Sequence, residues 1–455
     1  MLRLLVITLT LYSSSNAWNG ELPINTNNNN VNNNNYGFAV APVRNYYLLT
    51  SLFIIYNHMK KNYITFEEVV IAYFDCRRHK RNTKQQLEFE INLWVNLHTI
   101  YNELNRLNYT LQESVAFIVK RPVYREVFAA KFRDRIVHHI LYNKVNHIFE
   151  EHIFIDDCYA CRKSKGTLYG IKRCSEKIKE CSCNYTKSCY IFKGDLKSFF
   201  MNIDKRRLYK ITLHVITKYG NFPSDELRFI DYLLKLIIFN CPQNNCIRHG
   251  NLKLWNKLPA DKSLFNRDIF HGLPIGNLMS QILANLFLSV LDWFIVKELE
   301  CKYYGRYVDD FYIIHEDKDF LLNCRKKISD KLLSLGVILH PKKSYLQHYT
   351  KGVQFLGAVV KPYRLYIINR TKGSFYDKVR LLSQQTDLTN KDVLDWRNSI
   401  NSYLGLLSSF NTYTIRKRMI TKYDVLKCGY YYINNRFLSL KIKTKYKNIC
   451  ISKKY

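Results

Sequence analysis

Two adjacent carboxylates, Asp309 and Asp310, lie in a stretch that is otherwise rich in β-prone residues. The run 303–307 precedes them and the run 311–315 follows. Two such runs that meet at an Asp-Asp pair predict a β-hairpin with carboxylates at its tip. Burying both is costly unless a cation compensates their charge, and hard oxygen ligands favour Mg²⁺. An Asp-Asp pair alone is weak evidence, because most such pairs lie in surface turns.

A third carboxylate, Asp195, ends the apolar run 190–195 and predicts a second strand with an acidic end. Two-metal phosphoryl transfer needs carboxylates from separate strands that hold two ions ~3.5–4 Å apart. We therefore expect Asp195 and Asp309 to bridge two Mg²⁺ ions, with Asp310 at the flank of the site. Phe200 is predicted either to lie under the sugar of an incoming nucleotide, where its ring would exclude a 2′-hydroxyl, or to be a core residue.

Between these carboxylates, residues 271–281 form a glycine-containing turn that opens an apolar helix. Gly276 allows the backbone to approach a ligand closely. Ser280 and Gln281 are then expected near the helix start, facing a template base. The alternative is an ordinary joint between a turn and a helix.

Composition points to a polyanionic partner. The 455 residues include 70 Lys+Arg and 37 Asp+Glu, so the formal charge is 70 − 37 = +33. This excludes a protein that acts chiefly on cationic partners and favours nucleic acid over an anionic membrane surface. The 35 Tyr and 26 Phe suit stacking on single-stranded bases, although an A/T-rich genome would also enrich these residues. The length suits two or three subdomains.

The periodicity of apolar residues predicts the coarse order of elements. Helical spacing covers 64–73, 87–107 and 133–148, and two short β-rich runs fall within 114–128. The tail 411–455 carries 12 Lys+Arg and one acid, a net charge of 12 − 1 = +11. We interpret this tail as a basic helical face for a nucleic-acid duplex, against the simpler alternative of a solvated surface.

The cysteines and the N-terminus indicate where the chain works. The odd number of cysteines, 13, favours free thiols in a reducing cytoplasm over a disulfide framework. The cluster Cys174, Cys181, Cys183 and Cys189 lacks the C-x2-C spacing of zinc sites. Residues 1–12 superficially match a signal peptide, and the Asn-rich segment that follows cannot form a core.

Taken in order, these segments resemble the motifs of reverse transcriptases. The matching segments are Asp195, Gly272–Gln281, the Y-x-D-D box Tyr307–Asp310, Lys342–Ser344 and Gly352–Gly357. The resemblance covers roughly residues 59–440. It implies an α+β right-hand polymerase with fingers, a palm built on an antiparallel sheet, and a helical thumb. It also implies an RNA template, a DNA primer and deoxynucleotides as substrates.

Finer features resemble the reverse transcriptases of diversity-generating retroelements, which are related to group II intron and retron enzymes. The second motif reads I-G-x-x-x-S-Q at Ile275–Gln281, whereas group II intron enzymes typically carry Q-G-x-x-x-S-P. Segments 125–139, 159–167 and 402–407 also look like that group. Two residues depart from the usual pattern: Met279 stands where Thr is common, and Gly194 stands where a larger apolar residue is usual. Because both lie beside the predicted active site, these departures put fidelity and base discrimination in doubt rather than polymerisation.

The resemblance also implies residue roles. Arg162 and Lys163 would contact the triphosphate from the fingers, and Lys343 would act as a general acid toward the leaving pyrophosphate. For each of these the alternative is a solvated cation. The predicted segments are an extension at 1–58, fingers and palm at 59–365, and a helical basic thumb and tail at 366–455.

The implied function is to copy a template-repeat RNA into cDNA with errors at adenines, for diversification of a target gene. A small accessory variability determinant protein is an implied partner, and no membrane is involved. Residues 16–43 resemble a template repeat translated by accident, which makes Met59 a candidate start; the alternative is a signal peptide with a linker. Two other functions remain open. One is a retron-like or group II-like enzyme in mobility or phage defence, and the other is an RNA-binding scaffold with an inactive palm.

Overall fold

The computed structural model describes residues 62–78, 80–120, 123–385, 388–426 and 428–446. The predicted extension 1–58, the candidate start Met59 and the last nine residues lie outside these ranges.

The elements follow the predicted order. The helices are α1 Phe66–Arg78, α2 Lys84–Ile91, α3 Leu93–Asn105, α4 Phe132–Ile148, α5 Thr167–Cys181, α6 Phe199–Asn202, α7 Lys205–Tyr219, α8 Ser224–Ile238, α9 Leu278–Trp293, α10 Lys318–Ser334, α11 Asn369–Ser383, α12 Asn390–Ser408 and α13 Tyr413–Lys422. The strands are β1 Ser114–Val119, β2 Arg125–Ala129, β3 Tyr190–Asp195, β4 Cys246–Arg248, β5 Tyr303–Tyr307, β6 Asp310–His315, β7 Tyr345–His348, β8 Val353–Phe355, β9 Ala358–Lys361, β10 Arg364–Ile367, β11 Tyr431–Ile433 and β12 Leu440–Ile442. Single π-helical turns, Phe149–Ile153 and Phe294–Glu298, extend α4 and α9.

A four-stranded antiparallel sheet, the palm sheet, has the order β5-β6-β3-β7. Helix α9 is part of the core beneath it. Apolar residues occupy 11 of its 16 positions and 12 of its 16 residues are buried, so it is covered on most sides. Among the described residues one run, Leu278–Glu298, has the length and apolar composition of a membrane-crossing helix, but 72% of its most apolar window is buried inside the protein. We therefore interpret it as a core helix.

A second sheet, the finger sheet, has the order β2-β1-β4. β1 and β2 are the two predicted β-rich runs and pair antiparallel, while β4 joins β1 in parallel. The buried carboxylate of Glu126 on β2 ties this sheet to the segment that follows β4. It accepts hydrogen bonds from Trp255 Nε1 at 2.7 Å, Ser263 Oγ at 3.0 Å and the Leu264 amide at 2.7 Å. These bonds satisfy a charge that would otherwise be costly to bury.

The C-terminal part packs α11, α12 and α13 against a hairpin made of β11 and β12. The sequence predicts a helical tail, and that prediction is wrong for residues 431–442 because the chain forms this hairpin there. Tyr431 and the pair Leu440 and Ile442 are buried in alternation with exposed neighbours, which is the period of a strand. The Tyr431 hydroxyl also donates to the Val393 carbonyl at 2.9 Å.

The predicted boundary between residues 365 and 366 falls inside β10, which belongs to a third sheet of order β10-β9-β8. One apolar cluster includes Tyr312 and Ile314 of the palm sheet together with Phe375 of α11. Palm and thumb therefore share a core.

Candidate active site

The three predicted carboxylates lie at one edge of the palm sheet. Asp195 ends β3 and pairs in register with Asp310, the first residue of β6. Asp309 lies in the two-residue turn between β5 and β6, and its carbonyl accepts a hydrogen bond from the Leu196 amide at 3.2 Å. The predicted hairpin with carboxylates at its tip is present.

Two lysines compensate these carboxylates. Lys343 Nζ lies 3.2 Å from Asp195 Oδ1 and 3.4 Å from Oδ2. Lys193, which is buried on β3, forms an ion pair with Asp310. Sequence reasoning missed Lys193. The available signal was a lysine two residues before Asp195 in an apolar strand, because alternate residues of a strand share a face.

The backbone of Asp195 is fixed by the segment that carries Lys343. The His340 amide donates to the Asp195 carbonyl at 2.7 Å. The Ser344 hydroxyl donates to the same carbonyl at 3.3 Å and also lies 3.3 Å from the Asp195 amide. These contacts bring Lys343 to the acidic edge without a direct link in sequence.

Electrostatics at this edge favour a bound cation. Burial raises the pKa of Asp309, and the nearby Asp195 charge raises it further. Burial raises the pKa of Asp310 to about 6, although Lys193 opposes the shift. Across the described ranges no three His, Cys, Asp or Glu side chains already converge as a metal site. The donor set nevertheless fits a hard divalent ion, since clustered carboxylate oxygens are the ligands it prefers and its charge would offset their repulsion.

Phe200 lies on the short helix α6, next to the acidic edge. Its ring is half-buried and packs against Phe199 with centroids 5.6 Å apart. Its carbonyl accepts a hydrogen bond from the Leu273 amide at 2.8 Å, which joins α6 to the turn before α9. The ring is neither fully exposed nor fully buried, so its role at the sugar stays a prediction.

Replacing Phe200 with alanine should therefore relax sugar selection. We expect discrimination between deoxynucleotides and ribonucleotides to fall about 10- to 200-fold, the usual range for losing a hydrophobic steric contact. Single-nucleotide incorporation kinetics with both substrates measure this ratio. Phe222→Ala, another half-buried phenylalanine that packs beside His147, is the matched control. Unchanged discrimination in Phe200→Ala would make the ring a core residue only.

Gly276 has a backbone conformation that favours glycine, and it lies close to the finger sheet. Its φ is +123°, and a Cβ would lie 2.7 Å from Val127 Cγ1 and 3.1 Å from the Phe128 carbonyl oxygen. The neighbouring Ile275 carbonyl accepts a hydrogen bond from the Phe128 amide at 2.8 Å. The close approach of Gly276 is thus to Val127 and Phe128 of the finger sheet. A contact between Gly276 and a ligand stays a prediction.

At the start of α9, Ser280 is buried whereas Gln281 is half-buried. Gln281 Oε1 accepts a hydrogen bond from Cys161 Sγ at 2.9 Å. The buried Ser280 side chain does not face solvent in this structure, so an encounter with a template base would need local movement. Gln281 reaches the loop that holds the next two predicted residues.

In that loop Arg162 is engaged within the protein. Its Nε lies 2.7 Å from Glu150 Oε2, and its Nη1 donates to the carbonyls of Ile155 at 2.6 Å and Cys158 at 3.1 Å. A contact between Arg162 and the triphosphate would require these bonds to open, and it stays a prediction. Lys163 is exposed and its predicted role is likewise untested.

The cysteine cluster does not assemble as a four-ligand site. Cys181 and Cys189 share a hydrogen bond between thiols. Burial raises the pKa of the Cys174 thiol, which disfavours the thiolate that zinc requires, and Cys183 is exposed.

Comparison with known protein families identifies the family to which this site belongs. A family model described as reverse transcriptase (RNA-dependent DNA polymerase) matches residues 119–360, more than half of the chain. The chain belongs to the reverse transcriptase family. Its mixed helix and sheet architecture thus contains the domain that this family model describes. Enzymes with this domain generally depend on divalent metal ions.

Among solved structures, the reverse transcriptase is similar to the telomerase of Candida albicans in complex with a TWJ fragment of telomeric RNA. The sequence identity is 12% and the TM-score is 0.40. The match covers 70% of this chain and 61% of the telomerase chain. A search of curated proteins found no match.

The two departures from the family pattern have different structural settings. Met279 of the reverse transcriptase is fully buried in the main apolar cluster. Gly194 pairs in register with Phe311, whose ring lies over it where a Cβ would collide. The aromatic ring thus occupies the space that a larger residue at 194 would fill.

Proposed function

We propose that this reverse transcriptase copies a template-repeat RNA into cDNA with errors concentrated at template adenines, for diversification of a target gene. The observation that carries the proposal is the I-G-x-x-x-S-Q sequence at Ile275–Gln281. The hydrogen bond between Gln281 and Cys161 supports it, because it connects this motif to the loop of Arg162 and Lys163, on the predicted triphosphate side.

In this proposal Asp195, Asp309 and Asp310 would together hold the Mg²⁺ ions at the acidic edge. The ions would lower the pKa of the primer 3′-hydroxyl and stabilise the leaving pyrophosphate. Lys343 would act as the general acid toward pyrophosphate, and its contact with Asp195 supports this assignment because it keeps the ammonium beside the reacting groups. Phe200 would select the sugar.

The enzyme would work in the cytoplasm with template RNA, primer and deoxynucleotides, together with an accessory variability determinant protein. The same proposal includes the hypothesis that residues 16–43 are a template repeat translated by accident. It requires a near-identical repeat elsewhere in the locus that differs mainly at adenines, and sequencing the locus would reveal this repeat.

Error spectra provide the direct test. With a defined RNA template and Mg²⁺, we expect misincorporation at template adenines to exceed that at the other three bases by at least about tenfold, a difference of ~1.4 kcal/mol in transition-state binding. Sequencing the cDNA products measures it. Gln281→Leu should lower the adenine errors, because it removes the amide but keeps the size, whereas Cys161→Ala tests the hydrogen bond alone.

An even error spectrum at all four template bases would instead favour the alternative of a retron-like or group II-like enzyme in mobility or phage defence. Synthesis would persist in both cases, so this outcome leaves the polymerase function intact.

A further inference from the structure

The turn that presents Asp309 has an unfavourable backbone conformation. Val308, directly before Asp309, has φ = +56°. A left-handed conformation is unusual for a β-branched residue and costs of order 1–3 kcal/mol unless the surroundings hold it. Some feature of the fold must therefore impose this turn.

The side chain of Arg306 makes the contact that can hold it. Arg306 Nη1 donates a hydrogen bond to the Val308 carbonyl at 2.9 Å. The guanidinium is completely buried, and it also lies against Asn285 Oδ1 at 3.2 Å. An arginine fork has a fixed donor geometry, so orienting one edge of the guanidinium orients the other.

Asp292 on α9 fixes the opposite edge of that fork. Its two oxygens lie 2.6 Å from Arg306 Nε and 2.5 Å from Arg306 Nη2, and both residues have 0% side-chain exposure. Asp292 also accepts a hydrogen bond from the Tyr304 hydroxyl at 2.6 Å. The carboxylate thus accepts three hydrogen bonds and is held in a fixed place within the core.

We propose that Asp292 and Arg306 form a clamp that holds the Val308 carbonyl and thereby fixes the orientation of the Asp309 carboxylate for nucleotidyl transfer. The proposal rests on the assignment of Asp309 as a metal-binding residue. Neither member of the clamp reaches the acidic edge; both are positioning residues that act through the backbone of the turn. The Arg306 guanidinium thus links helix α9 to the turn that carries Asp309.

A buried ion pair can also be purely structural, so the test must separate stability from positioning. The first variant combines Arg306→Met, Asp292→Leu and Tyr304→Phe, which removes the clamp and replaces it with apolar side chains. Such replacements of buried pairs are often tolerated. We expect cooperative unfolding and RNA affinity to be retained, while kcat falls about tenfold and the Mg²⁺ concentration for half-maximal rate rises. The KM for deoxynucleotide should change little.

The decisive comparison repeats the clamp removal in a Val308→Gly background. Glycine adopts the left-handed conformation without strain, so the turn then needs less support. We expect the loss of kcat on clamp removal to be at least about threefold smaller in this background than in the Val308 background. Equal losses in the two backgrounds would overturn the proposal.

Two further arms keep the outcome interpretable. If the triple variant does not fold, Arg306→Lys replaces it, because lysine retains the charge pair but not the fork that reaches Val308. Lys144→Met removes a largely buried lysine that pairs with the partly exposed Glu68 and Glu226, and should leave kcat and the Mg²⁺ dependence unchanged. If the clamp variant has wild-type kcat and Asp309→Ala is inactive, the clamp proposal alone is disproved. If Asp309→Ala is active, the metal assignment on which the clamp rests is disproved.

Discussion

Asp309→Ala is expected to abolish primer extension, with a loss of at least about a thousandfold in rate. Metal-held carboxylates contribute several kcal/mol to phosphoryl transfer, which corresponds to losses of this size. Asp309 has the clearest claim among the three carboxylates, because Lys343 contacts Asp195 and Lys193 contacts Asp310. Burial and the charge of Asp195 raise the pKa of Asp309, and a neighbouring cation would oppose both effects.

The measurement is extension of a labelled primer on an RNA template, in parallel with RNA binding at fixed salt. RNA affinity should stay close to wild type, since the basic surface is unchanged and the substitution removes a negative charge. Asp330→Ala, which removes an exposed carboxylate on α10, is the matched control and should extend normally. Retained synthesis by Asp309→Ala would disprove the assignment of the metal ligands.

Gly194→Ala is expected to destabilise the enzyme and to lower its activity strongly, although it adds only one methyl group. The new Cβ would collide with the ring of Phe311 in the adjacent strand. That ring cannot move easily, because it is buried and packs against Phe192 at 5.9 Å and Tyr304 at 6.2 Å between centroids. Overpacking of this kind costs about 1–3 kcal/mol. It would also displace Asp310, which directly precedes Phe311.

Chemical denaturation and primer extension measure the two consequences. Phe311→Leu should partly rescue Gly194→Ala, because the smaller side chain makes room for the methyl group, so the two substitutions should be strongly non-additive. Gly373→Ala is the control. Its Cβ would meet no atom within 4 Å inside helix α11, and it should stabilise the enzyme by about 0.5–1 kcal/mol. Additive effects of the two palm substitutions would refute the packing explanation.

Local patterns in the sequence predicted the elements that carry the acidic residues. The β-prone runs on either side of Asp309–Asp310 and the strand that ends at Asp195 are short-range signals, and both elements formed as expected. The turn into α9 was equally predictable because glycine and the apolar stripe are neighbours in sequence.

Partners distant in sequence were not predictable. The ion pair between Lys193 and Asp310 and the contact between Arg306 and Asp292 depend on which strands and helices meet in space. The bonds from Arg162 to Glu150 and to the carbonyls of Ile155 and Cys158 likewise depend on the folded path of the chain. A single position in the sequence does not reveal such pairings, because the sequence does not indicate whether a lysine or arginine is solvated or buried.

The parallel pairing of β4 with β1 has a consequence for biosynthesis. Ser114 and Cys246 are aligned in this pair although they are 246 − 114 = 132 positions apart. Long-range pairings of this kind form slowly, and until they form the strand edge is open to wrong partners. On the ribosome, the hairpin of β1 and β2 emerges long before β4 and remains without its third strand while more than a hundred further residues are translated. The open edge of β1 is therefore available to wrong partners throughout that interval.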